Sequence, residues 1–206
     1  MNGGKKGLLA NKSVWIFTLA TLLGITVLVA VMLSYWPRFS EGRTAKSVTQ
    51  ALNQRQYQSL HNLAHPAEID LCSWSPAQVE SVFRDLDLGK GWAAKTENQR
   101  ILVRESTVRK QSSFEFSCKG CDDFNIYLFR YGRGWKLQIG ALAYDAALAT
   151  HGIPEGNQKL IEAMREHDIK CIVHGPRRLI ATPDMLAEKP NDPDAAWQPI
   201  TKPLPE

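Results

Sequence analysis

"FEFSCKGCDDFNIYLFRYGRGWKLQIG", residues 114–140, decides how the chain is built. The runs "SFEFS", "FNIYLFRY" and "WKLQIGAL" alternate with a period near two and are separated by glycine-containing turns, which predicts an antiparallel meander. Reading "YGRGW" as a three-residue loop sets Tyr131 opposite Trp135, Phe129 opposite Leu137 and Tyr127 opposite Ile139. At the first turn, a two-residue loop of Lys119 and Gly120 would set Phe116 against Asp123 and Phe114 against Asn125. A wider, bulged loop pairs Phe116 with Phe124 and Phe114 with Ile126 instead, and is preferred because a one-residue slip turns every side chain to the other face. Residues 124–131 are apolar on both faces, which predicts a strand covered on two sides. The early helices are expected on one face, and the C-terminal helix–strand unit or a second copy on the other.

In either register Cys118 and Cys121 share one hairpin tip, near enough for a disulfide. Three chemistries fit the pair. A thioredoxin-type catalyst needs a cysteine acidified at a helix N-terminus, whereas here Asp122, Asp123 and a strand follow, and both neighbours disfavour a thiolate. A structural zinc site could be assembled from Cys118, Cys121, Cys171 and His174, two pairs each spaced by two residues. The preferred reading is a local Cys118–Cys121 staple with Cys72–Cys171 as a second bridge, because four cysteines close two bridges in an oxidising compartment. No cofactor is expected on that reading.

Compartment follows from "VWIFTLATLLGITVLVAVMLSYW", Val14 to Trp36, which holds no charged residue. At about 1.5 Å of rise per residue, such a run crosses a hydrocarbon core of about 30 Å as a helix, with Trp15 near one interface and Tyr35 and Trp36 near the other. A cleaved signal peptide fits less well, since the apolar core is long and "LSYWPRFSEG" offers no small-residue cleavage site. The expectation is a retained single-pass anchor in the lipid bilayer through residues 14–36. Lys5, Lys6 and Lys12 precede it, while Arg38, Arg43 and Lys46 follow, so basic residues nearly balance across it. The short N-terminal tail favours N-inside and an extracytoplasmic domain. Those three lysines carry most of the formal charge of +4, leaving about +1 for everything beyond. A nearly neutral domain excludes a nucleic-acid partner of the usual basic kind; the local cluster Arg100, Arg104, Arg109 and Lys110 reads as a solvated strand face.

Outside the meander, apolar residues Val48, Ala51, Leu52, Leu60, Leu63 and Ala64 recur at helical spacing over 44–64, with a slip at "NQRQ" and a stop at Pro66. "SPAQVESVFRDLDLG" predicts a helix capped by a Ser75–Gln78 box, with Val79, Val82, Phe83 and Leu86 as its buried stripe. A helix over 156–167, strands in "IKCIVHG" and "RRLIA", and a short helix capped by Thr182 complete the chain. The expected organisation is a cytoplasmic tail 1–13, the transmembrane helix 14–36, a linker 37–43, an α+β domain 44–149, a helix–strand extension 150–189 and a proline-rich disordered tail 190–206.

Catalytic signatures are weak. "HNLAH" sets His61 and His65 four apart, but Asn62 stands where a zinc protease has its glutamate. No nucleophile elbow or phosphate loop occurs. The order of a helix carrying "ALNQRQYQSLHNLAHP", a second helix and strands ending in "IYLFRYGRGWKLQIG" resembles the nuclear transport factor 2-like family over residues 44–143. The resemblance implies helices wrapped by a curved, cone-like antiparallel sheet, and it brings no catalytic residue. The function expected is therefore binding or envelope assembly, through self-association or an envelope protein partner, without catalysis. The rivals are a small-molecule enzyme using the cone, with a polar pair such as Asp145 or His151 near Tyr127 and Tyr57, and a zinc-stabilised or thiol-redox domain. Similarity to type IV secretion assembly factors, with one anchor and this fold, implies self-association.

Overall fold

The computed structural model describes residues 6–104, 107–132, 134–175 and 179–200, and the side chains of these apart from 6–17, 32–40 and 96–110. The chain divides into two compact units, residues 1–40 and 41–206. Helix α1 (Lys6–Gln54) contributes to both. In the first unit, Leu19, Leu22, Leu23, Ile25, Val27, Leu28, Val29 and Val31 are 46–70% exposed. Among the described residues no helix is long and apolar enough to cross a membrane. The expected linker 37–43 lies inside α1. Packing explains the extension: Ala45, Val48, Ala51 and Leu52 are buried in one stripe, and burial reaches back to Glu41.

The second unit is an α+β fold in which helices pack on a curled antiparallel half-barrel sheet. After α1 come α2 (Gln58–Leu63), α3 (Pro66–Cys72) and α4 (Pro76–Asp85). The expected slip is a break at Arg55, whose φ of 54° ends the helical path. Pro66 does not merely stop a helix: it occupies the first turn of α3, where its missing N–H costs nothing. Helix α4 has the expected capping box, with Ser75 Oγ accepting from Gln78 N and Gln78 Oε1 accepting from Ser75 N. Gln78 Nε2 also donates to the carbonyl of His167, so one side chain caps a helix and ties down a distant one.

Strands β1 (Ala93–Arg104), β2 (Thr107–Ser117), β3 (Phe124–Tyr131) and β4 (Gly134–Leu137) follow in sheet order. Phe116 pairs with Phe124 and Phe114 with Ile126, as the wider loop requires. The second hairpin differs from expectation. Tyr131 pairs with Gly134, Arg130 with Trp135 and Leu128 with Leu137, a one-residue shift that brings Leu128, Leu137 and Trp135 into the core. Burial of those three outweighs the aromatic cross-strand pairs the longer loop would give. The last strand also ends early, because Ile139 opens helix α5 (Ile139–His151). The basic cluster at Arg100, Arg104, Arg109 and Lys110 lies outside the described side chains.

Helix α6 (Glu155–Glu166), β5 (Ile172–His174), β6 (Leu179–Ala181) and α7 (Pro183–Glu188) complete the expected elements, with Thr182 Oγ1 capping α7 by accepting from Met185 N. Residues 190–200 depart from the disordered tail expected there. They form a 3-10 turn (Pro193–Ala196) and strand β7 (Gln198–Pro199), which pairs with β6. Proline suits both places, since a turn start and an edge strand need no amide there, and Ala196, Trp197 and Ile200 supply the apolar contact. One hydrophobic core joins Phe114, Phe116 and Leu128 to Leu160, Met164, Ile172 and Leu186, so the C-terminal elements extend the inner-face core. They do not form a separate cover for the outer face, where Phe129 is buried but Tyr131 is 36% exposed.

Candidate functional site

Helix α5 is apolar nearly all round, with Ala141, Leu142, Ala143, Tyr144, Ala146 and Ala147 buried, so it runs through the core. Its N-terminus has no side-chain cap of its own. Glu68 of α3 supplies one: its carboxylate, 1% exposed, accepts from Ile139 N at 2.9 Å and Gly140 N at 2.8 Å. A carboxylate is well matched to the positive end of a helix. Gly140 makes the approach possible, since a Cβ there would stand 2.9 Å from Glu68 Oε1 and 2.6 Å from Ile172 Cβ.

One turn further along α5, Asp145 meets His174 at the end of β5. His174 Nε2 lies 2.9 and 3.0 Å from the two Asp145 oxygens, and the side chains are 25% and 14% exposed respectively. An ionised carboxylate only accepts, so Nε2 donates. Trp197 stacks on the imidazole at 5.0 Å and 28°, while Tyr144 meets it edge-on at 5.4 Å. Tyr144 and Trp197 also touch edge to face at 5.2 Å, and Tyr144 Oη donates to Asp194 Oδ1 at 3.0 Å. Burial pushes the Asp145 carboxyl up, against the opposing bond and charge of His174. For His174 burial pulls down, but the bond and charge of Asp145, with Asp194 and Glu68, leave the imidazole above its ordinary value. Burial drives the Tyr144 phenol well above its usual range, and the charge and bond of Asp194 add to the rise.

An Asp–His pair orients an imidazole for proton transfer in many enzymes. Here both ring neighbours are aromatic and belong to the packing. The arrangement works as a clasp: α5 and β5 supply the charged pair, and the segment 193–200 closes over it through Trp197 and Asp194.

The cysteines pair as Cys72–Cys171 and Cys118–Cys121, with Cα separations of 4.8 and 5.3 Å. The four residues of the zinc set are thus not brought together: Cys171 is engaged by Cys72, and His174 by Asp145. His61 and His65 do not share a helix face, because α2 ends at Leu63 and His65 precedes α3. His61 Nε2 lies 3.1 Å from the carbonyl of Trp74, whereas His65 stands edge-on to Tyr131. His151 Nε2 is 2.7 Å from the carbonyl of Leu86, away from Asp145's partner. Tyr57 packs on Phe83 and borders an open cleft of about 400 Å³ with Arg55 and Glu80. At another surface, Asp85, Glu166 and His167 hold ligand atoms within 4.8 Å of one another, with His167 Nε2 at 2.5 Å from Asp85 Oδ2.

Sequence reasoning missed Glu68, Tyr144, Asp194 and Trp197. Glu68 acts 71 residues away, beyond any local pattern. Trp197 had a signal: a large aromatic in a polar, proline-rich stretch has a reason to be there. No family model, curated protein or solved structure matches the chain.

Proposed function

We propose that the chain is a single-pass membrane protein, with a cytoplasmic N-terminus and an α+β domain outside the cytoplasm that acts in binding or envelope assembly without catalysis. The observation that carries this reading is the uncharged run Val14–Trp36, whose described part displays eight large aliphatic side chains at 46–70% exposure. Burying a side chain of this size is worth about 1.5–3 kcal/mol, so leaving eight in water forgoes on the order of 10 kcal/mol that a bilayer would supply. Two cysteine pairs at bonding distance support an oxidising compartment.

Helices preceding a curled antiparallel sheet support the nuclear transport factor 2-like relationship expected from the sequence. The inner face of that sheet is filled by Phe114, Phe116, Leu128 and Leu137. A filled cone supports binding over small-molecule catalysis, and it leaves self-association or an envelope protein as the partner class. Alkaline carbonate extraction of membranes from expressing cells tests the anchor. The chain is expected to stay in the pellet; release into the supernatant would overturn the reading.

A further inference from the structure

The two disulfides occupy opposite environments. Cys72 and Cys171 are 0% and 4% exposed and stand 99 residues apart in sequence. Cys118 and Cys121 are only partly buried, stand three apart, and flank the exposed Lys119 and Gly120. On one side their sulfurs lie against the backbone of Gly89, where a Cβ would stand 2.5 and 2.6 Å from them. Towards the tip the surroundings open out: a Cβ at Gly120 would meet nothing within 4 Å.

Burial sets the two bridges apart. A longer loop raises what its bridge contributes to the fold and lowers, by the same factor, its closure in the unfolded chain, so loop length does not by itself order them. Reductant reaches the tip directly, but reaches the core bridge only after unfolding. Opening the tip leaves its position held, because Lys119 N donates to the carbonyl of Lys90 at 3.2 Å and Asp122 N to that of Ala149 at 3.1 Å.

We propose that Cys118–Cys121 is a thiol–disulfide exchange site whose reactant is an external dithiol, while Cys72–Cys171 stays closed. A thiolate of the dithiol attacks Cys118 Sγ, forming a mixed disulfide and breaking the bond to Cys121, whose thiolate takes a proton. The second thiolate of the reactant then displaces Cys118, which is protonated in turn. Two electrons and two protons pass to the tip, leaving two thiols, and the dithiol becomes a disulfide. A disulfide oxidant of the same class reverses the sequence.

Thr150 assigns the leaving sulfur. Its Oγ1 accepts from Gly89 N at 3.3 Å and lies 4.0 Å from Cys121 Sγ. A bridged sulfur has no hydrogen to give, so in this contact the hydroxyl is the donor, and the same contact favours a departing thiolate at Cys121. Asp122 and Asp123 oppose that charge and Lys119 and Lys90 favour it, all four from exposed positions where salt screens them. The inference does not depend on the membrane reading.

The test exposes the full chain, in detergent, to graded dithiothreitol for a fixed short time, then alkylates and maps thiols by peptide mass spectrometry. Cys118 and Cys121 are expected to be alkylated at no more than about a tenth of the reductant needed for Cys72 and Cys171, with circular dichroism unchanged. Four thiols appearing together, the core pair opening first, or a tip pair that resists until denaturant is added would each overturn the proposal. In Cys121→Ser, Cys118 should form a stable adduct with glutathione disulfide; failure to do so contradicts Cys118 as the accessible sulfur. Thr150→Val also removes the acceptor of Gly89 N, which by itself would loosen the loop and speed reduction; slowing of tip reduction by about threefold or more therefore reports the Cys121 contact, and an unchanged or faster rate contradicts the assignment.

Discussion

His174 is held by Asp145 and flanked by Trp197 and Tyr144, so its protonation bears on the contacts that join β5 to the C-terminal segment. The folded state holds protons more tightly than the unfolded chain at both His174 and Asp145, since both are raised. The sign follows. Stabilisation by His174 is complete below its unfolded value of about 6.5 and is lost as pH rises through the higher folded value; Asp145 acts in the same direction from its own lower starting point. Between about pH 6 and 8 the denaturant midpoint of the wild type is therefore expected to fall more steeply than that of His174→Gln. Equal slopes in the two proteins would show that the pair does not contribute. Glu68 belongs to the same neighbourhood but does a different job. Removing it in Glu68→Ala strips two buried amides of their acceptor, which should cost about 2–4 kcal/mol in urea unfolding.

Helix α5 shows what decides an element when local pattern does not. Residues 135–142 alternate well enough to read as a strand, yet the chain turns helical at Ile139 because a carboxylate 71 residues earlier receives its first amides. A cap supplied across the fold leaves no trace in the local sequence. Where caps are local, the elements were legible: Ser75 with Gln78 and Thr182 with Met185 both mark real helix starts. The first hairpin was readable because Phe114 and Phe116 needed apolar partners, while the second admitted two registers that both satisfied the pattern, and burial of Leu128 with Leu137 selected between them. Proline misled in two ways: Pro66 reads as a stop and Pro193 as part of a disordered tail, yet each lies in the first turn of a helical segment. The close approach of α3, α5 and β5 makes Gly140 a sensitive position. Gly140→Ala introduces a Cβ 2.6 Å from Ile172 Cβ, so thermal melting should fall by several degrees, consistent with about 1–3 kcal/mol of overpacking. An unaltered melting temperature would mean that α5 has room to move.

The disulfides and the clasp belong to the second unit of the molecule, and the apolar run to the first. Cys72–Cys171 ties the end of α3 to the entry of β5, so the early helices and the C-terminal elements share one core that reduction would loosen. A loop of about 100 residues closed this way is worth about 4–5 kcal/mol in the chain-entropy account. Composition made the apolar run and the even cysteine count legible at once, whereas the partner is a property of a surface and left no motif. Where the second unit resides is the claim on which binding and assembly in the envelope both rest. Labelling intact cells with a membrane-impermeant maleimide, before and after an impermeant phosphine reductant, tests it most directly. Label should enter Cys118 and Cys121 only after reduction and without lysis; label that enters only once the cells are broken would contradict the account.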